Sequence, residues 1–200
     1  MSATTDTLVL NFDTMPLGVV PWPRAVGWML ENKARLEAAY EDRWLRSFSV
    51  TIPWPAVVRL TYTAVCKARL GYSHANVFAR DRYRCQYCGG LLRPKGELRA
   101  TIDHVVPRAA SIKGRVRLPW NGKVVLLTGW QNTVACCYGC NVDVKRDLMP
   151  NAQGAIPSVG LQLARFPSHP SYLESIWIRF QKASIPPEWE QYAPESWREG

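Results

Sequence analysis

The apolar and polar positions of this chain change period several times, and each change marks an element. Leu8-Val9-Leu10-Asn11-Phe12 is an apolar run of strand length, and Met15-Pro16-Leu17-Gly18 after it reads as a turn. Trp22-Pro23 predicts a helix start with proline in the first turn, and Ala25, Val26, Met29 and Leu30 follow at helical spacing. Trp44, Arg46, Phe48, Val50 and Ile52 alternate with mostly polar neighbours, which predicts a half-buried strand ended by Pro53 and Pro55. Arg35 to Tyr40 is its expected hairpin partner, joined through Glu41-Asp42. Val57 to Ala68 fits a strand or a helix, and Cys66 within it reads as a buried core thiol.

Ser73 predicts an N-cap for a short helix from His74 to Arg80. Ala100-Thr101-Ile102 reads as a strand leading into Asp103-His104, and Pro107-Arg108 opens a loop. Arg115 to Leu127, with Asn121-Gly122 at its centre, predicts a β-hairpin. Val142 to Leu148 predicts a helix running on from a cysteine pair. After Pro170, Tyr172, Leu173, Ile176, Trp177 and Phe180 form an amphipathic helical stripe. The tail from Ile185, with Pro186-Pro187, Trp189, Tyr192, Pro194 and Trp197, reads as a packed arm or a partner-binding strap. Short strands mixed with short helices predict an α+β protein. Its expected regions are an N-terminal strand, helix and hairpin region (1–72), a central core (73–150), and a C-terminal helix with its tail (151–200).

Charge singles out the central region. Net charge is +2 over residues 1–72, +8 over 73–150 and −1 over 151–200, within a total of +9. Nearly all the excess sits on one segment, which points to a nucleic-acid partner. No apolar run is long enough to span a membrane, and Met1 to Asp6 has no basic or apolar signal-peptide character.

The same segment holds Cys85-Gln-Tyr-Cys88 and Cys137-Tyr-Gly-Cys140. Paired cysteines of this kind read as metal ligands in a reducing compartment. Four thiolates complete the tetrahedral shell of a structural zinc and leave it no open position for chemistry. The 48 residues between Cys88 and Cys137 exceed a simple zinc ribbon, so a further structure is inserted there. That insert carries Asp103-His104 and Asn132, and Asn141 follows the last cysteine. Phosphodiester hydrolysis needs a base for water and a positive centre for the phosphorane. A neutral imidazole suits the first, and a carboxylate with an amide oxygen on Mg²⁺ suits the second. Arg80, Arg82, Arg84 and Arg108 read as phosphate contacts, with Lys145 beside them. Cys136 lacks a motif partner and reads as structural, with the option of competing with Cys137 for zinc.

Arg80-Asp81-Arg82-Tyr83-Arg84-Cys85-Gln86-Tyr87-Cys88-Gly89, Ile102-Asp103-His104-Val105-Val106-Pro107-Arg108, Trp130-Gln131-Asn132-Thr133-Val134 and Cys137-x-x-Cys140-Asn141 together resemble the zinc-bearing HNH endonuclease family. Leu8-Val9-Leu10-Asn11, Pro16-Leu17 and Arg24-Ala25-Val26 resemble the lead-in of its bacterial and phage members. The resemblance implies a ββα-metal (His-Me) finger with a structural zinc on Cys85, Cys88, Cys137 and Cys140. It makes His104 the general base, Asp103 and Asn141 the ligands of a catalytic Mg²⁺ or Mn²⁺, and Asn132 the residue that orients the catalytic loop. The implied substrate is DNA, double-stranded, and the implied compartment is the bacterial or phage-infected cytoplasm. Two departures stand out: a long stretch between Arg108 and Trp130, and a lysine one position late, at Lys145 instead of Val144. The alternative is a zinc-stabilised nucleic-acid-binding protein without catalytic activity.

Overall fold

The computed structural model describes residues 6–65, 70–179 and 185–194; Cys66, Phe180 and Trp197 lie outside them. The chain is mixed α and β. Its strands are β1 (Asp6–Leu10), β2 (Pro16–Pro21), β3 (Ala34–Arg46), β4 (Thr51–Leu60), β5 (Ala100–His104), β6 (Arg115–Arg117), β7 (Val124–Leu126), β8 (Thr133–Cys137), β9 (Ala155–Ile156) and β10 (Leu161–Gln162). Its α-helices are α1 (Trp22–Leu30), α2 (His74–Arg80) and α3 (Tyr172–Arg179). Two compact units result, one from Met1–Arg69 with Tyr172–Gly200, the other from Leu70–Ser171. No helix among the described residues is long and apolar enough to cross a membrane.

The first unit is a sheet of order β2-β1-β4-β3, with β1 and β4 parallel and the other pairs antiparallel. Leu8 and Leu10 share a cluster with Tyr40, Ala56, Trp177 and Trp189, while Val9 packs with Ala25, Val58 and Leu60. β1 is thus buried on both faces, which is why its sequence is a continuous apolar run instead of an alternating one. Trp189 donates its indole N–H to the Ala56 carbonyl at 2.8 Å. Pro187–Tyr192 is a 3-10 turn that packs in this way, so the described part of the tail is a packed arm.

Several sequence expectations shift here. The turn expected at Met15 to Gly18 lies earlier, over Asn11 to Met15, and Pro16 already opens β2, an edge strand that tolerates it. β3 continues past Glu41-Asp42 through an irregularity in its pairing, with Asp42 at φ +54°, and the hairpin turns at Ser47 to Val50. Trp44 and Phe48 are therefore near the hairpin tip and exposed, at 55% and 109%. Pro53 and Pro55 lie inside β4, opposite Trp44 and Ala39. β1 pairs with β4 only from Val57 onward, so these prolines face an unpaired edge. Val57 to Leu60 is the end of that strand.

In the second unit β5 and β8 pair antiparallel, from Ala100 opposite Cys137 to His104 opposite Thr133. A helical turn over Gly139–Lys145 follows β8 at once. It is wound as a π-helix, with the Arg146 N–H bonded to the Asn141 carbonyl at 2.8 Å. The helix expected over Val142 to Leu148 thus starts three residues earlier, at the same length, and is more loosely wound. A π-turn takes up one extra residue, which is the one-position delay of Lys145, and it carries that side chain inward to 0% exposure. The expected hairpin is present as β6 and β7. The 151–200 region is split between the units. Leu163 packs with Val105 and Val134, and Arg165 bonds Asp81, so residues up to Ser171 join the second unit.

Candidate active site and metal centre

Cys85 and Cys88 sit in a tight turn after α2, closed by the Gly89 N–H on the Cys85 carbonyl and the Cys85 N–H on the Gly90 carbonyl, both at 2.9 Å. Gly89 takes φ +72°, where a side chain would be strained. Cys137 ends β8 and Cys140 lies in the π-turn. The β5–β8 pair brings the second cysteine pair back across the insert. The four sulfurs lie within 4.8 Å of one another, with Cys88 and Cys137 3.9 Å apart. A zinc with bonds of about 2.3 Å needs tetrahedral edges of about 3.8 Å. Contact with the Cys136 thiol, opposed by burial and aided by backbone N–H groups, draws Cys85 down to about 4. Burial pushes Cys137 and Cys140 up. Four sulfurs so placed could hold a metal ion, and the donor set fits zinc. Cys136 is fully buried, 3.8 Å from Cys85, and stands beside the four-sulfur cluster without joining it.

Asp103 and His104 end β5, where adjacent side chains leave opposite faces of the strand. Asp103 is 4% exposed. Its Oδ2 accepts the Tyr87 hydroxyl at 2.7 Å, and its Oδ1 accepts the Lys145 ammonium at 3.1 Å. Burial raises Asp103 above the usual carboxylate range, while Lys145 and Tyr87 act the other way. His104 is half-buried, with Nε2 3.0 Å from the Thr128 hydroxyl. Burial first, then the Arg108 charge, lowers its imidazole below the usual value, against the pull of Asp103.

Asn132 is fully buried. Its Nδ2 donates to the carbonyls of Val106 at 3.0 Å and Leu127 at 2.9 Å, and its Oδ1 accepts the Val106 N–H at 2.9 Å. It ties the segment after His104 to the end of the β6–β7 hairpin. Asn141 donates Nδ2 to Thr101 Oγ1 at 3.1 Å and to the Ile102 carbonyl at 3.3 Å. Its Oδ1 takes no hydrogen bond from the described residues. A hard divalent ion asks for such oxygens. A carboxylate has about four acceptor positions and two are taken at Asp103, so Asp103 and Asn141 fit the ion in kind. Lys145 already lends the carboxylate a positive charge.

Two of the expected DNA contacts are buried instead. Arg80 is 5% exposed, with Nε and Nη2 each 2.9 Å from Asp81. The same guanidinium donates to the carbonyls of Trp130 and Thr133, both at 2.7 Å, and of Ser168 at 3.1 Å. It braces the segment that holds Asn132 and has no donor free for phosphate. Lys145 likewise spends its ammonium on Asp103 and on the His104 carbonyl, 3.1 Å away. Arg84 and Arg108 are exposed, and Arg82 is half-buried. Tyr87, Thr128, Asp81 and Arg165 are partners that the sequence reading missed. Tyr87 had a signal in its place between the first two cysteines; Thr128 and Arg165 had none, because their partners are distant in sequence.

Residues 7–66 match the family described as HNH endonuclease-associated, N-terminal domain. No curated protein and no solved structure matches the chain. The lead-in resemblance falls within the matched stretch, and through it the chain is related to the HNH endonuclease family.

Proposed function

We propose that β5, β8 and the π-turn form a ββα-metal finger, and that the protein is an HNH endonuclease hydrolysing phosphodiester bonds in DNA. The observation that carries this reading is His104, a half-buried imidazole at the end of β5 held 3.0 Å from the Thr128 hydroxyl, where burial and Arg108 favour the neutral form. In the tautomer that carries its proton on Nε2, donating to Thr128, Nδ1 keeps its lone pair. Water attacks phosphorus as its proton passes to Nδ1; the new P–O bond forms while the bond to the leaving sugar oxygen breaks. Asn132 holds the backbone after His104, and Thr128 holds the ring. Mg²⁺ or Mn²⁺ on Asp103 and Asn141 would stabilise charge on the phosphorane and the leaving oxygen. Cys85, Cys88, Cys137 and Cys140 would hold a zinc that fixes the π-turn, and with it Asn141 and Lys145. The reducing cytoplasm of a bacterium or a phage-infected host suits these thiols.

The non-catalytic alternative has one observation in its favour: Lys145 and Tyr87 already engage both oxygens of Asp103. A plasmid-nicking assay separates the two. The nuclease yields open-circular or linear DNA with Mg²⁺ or Mn²⁺, and Asp103→Ala yields neither. Wild-type protein that binds the plasmid and leaves it supercoiled with every divalent ion removes the enzyme reading.

A further inference from the structure

The long stretch after Arg108 has a role of its own. The chain has no acidic residue between Asp103 and Asp143, while Arg108, Lys113, Arg115, Arg117 and Lys123 fall in that interval. All five are exposed, and none is in an ion pair among the described residues. Four of them ride on the β6–β7 hairpin and its flanks.

The hairpin is two-faced. Val116 and Val125, directly opposite each other, are buried at 2% and 7% against Val106 and Leu118. The other face pairs Arg115 with Leu126 and Arg117 with Val124, all four exposed. It is thus held firmly from beneath and offers an outer surface of two guanidiniums and two aliphatic side chains. The ribbon is also joined to the proposed catalytic residues. Leu127, at its end, bonds Gly114 through its N–H and Asn132 through its carbonyl, at 2.9 Å each. The next residue, Thr128, bonds His104. Trp120 in the turn region stacks on Phe166, with ring centres 4.8 Å apart, which steadies the tip.

We infer that the β6–β7 ribbon is a duplex-DNA contact that seats the substrate against His104, with Arg115 and Arg117 on backbone phosphates and Val124 and Leu126 against the groove wall. This rests on the nuclease reading for its purpose, and on charge and shape for its partner. A two-stranded ribbon about 5 Å across between strands fits the major groove, about 12 Å wide. Residues two apart on one strand place their side chains about 7 Å apart on the same face. Cations without neighbouring anions suit a polyanion.

The test is binding of a 30-base-pair duplex, in Ca²⁺ to hold off cleavage, across a range of salt. The Arg115→Gln/Arg117→Gln variant should lower the slope of log K against log salt by about 2. Arg115→Lys/Arg117→Lys should keep the wild-type slope. Both variants should melt as wild type, since the changed side chains are exposed. An unchanged slope in the Gln variant overturns the inference, and so does an equal loss of affinity for the single strand of the same sequence. Wild type that binds duplex but never cuts it sinks the nuclease reading and leaves the ribbon standing. A Gln variant that cuts normally with an unchanged salt slope sinks the ribbon alone.

Discussion

Arg80→Ala is the perturbation whose size the structure sets most clearly. The guanidinium makes five hydrogen bonds, two to Asp81 and one each to the carbonyls of Trp130, Thr133 and Ser168. Removing it strands three carbonyls and leaves Asp81, 3% exposed, short of a charge partner. Breaking a buried pair in this way costs about 3–5 kcal/mol. Arg165 remains 3.0 Å from Asp81, which places the cost near the lower end. For a unit of this size about 3 kcal/mol lowers Tm by roughly 12–24 °C. Arg80→Lys should recover little, because one ammonium cannot span the fork of partners. Thermal melting gives the Tm, and hydrogen exchange at Asn132 and Thr133 should quicken more than at Leu8 to Leu10. The reasoning is refuted by an Arg80→Ala protein that melts as wild type while its DNA-binding salt slope falls by about 1. That result would return Arg80 to the phosphate surface.

Removing zinc, or Cys85→Ser or Cys140→Ser, should unfold the second unit, since such sites contribute roughly 10–16 kcal/mol; folded, active protein without zinc by metal analysis refutes this. Cleavage should rise as pH climbs through a His104 midpoint below 6.5, because burial and Arg108 favour the neutral base; an acid limb centred above 6.5 contradicts it. Asn132→Ala leaves the Val106 N–H and the Val106 and Leu127 carbonyls without their partner, which should cost about 2–4 kcal/mol by urea unfolding. Lys145→Met leaves Asp103 without its counter-ion, so Mg²⁺ should raise the Tm of this variant more than that of wild type; equal shifts would show that Asp103 does not hold the ion.

Local chemistry was legible in the sequence where partners are close or spacing is strict. Ser73 caps α2 as expected, accepting the Asn76 N–H at 3.1 Å. The cysteine pairs predict their own meeting, and Asn121-Gly122 marks the turn between β6 and β7. The misreadings come from long-range pairing. Trp44 to Ile52 alternates like a half-buried strand, but the turn at Ser47 puts it at the hairpin tip, where most of the stretch is exposed. Arg80 resembles Arg84 in sequence, yet one is buried, bonding its neighbour Asp81 and two distant carbonyls, and the other is exposed. No local pattern separates them, because the difference lies in the carbonyls of Trp130 and Thr133, some fifty residues on. Lys145 was misjudged for a related reason: a π-turn, not an α-helix, sets which way it points.

The most direct test of the nuclease reading is single-turnover cleavage of duplex DNA by His104→Ala beside wild type, at saturating Mg²⁺ and with both proteins shown to bind the duplex equally. The account predicts a loss of at least ~10²-fold in the cleavage rate, with zinc content and Tm unchanged. Cleavage by His104→Ala at the wild-type rate would contradict it and place the base elsewhere.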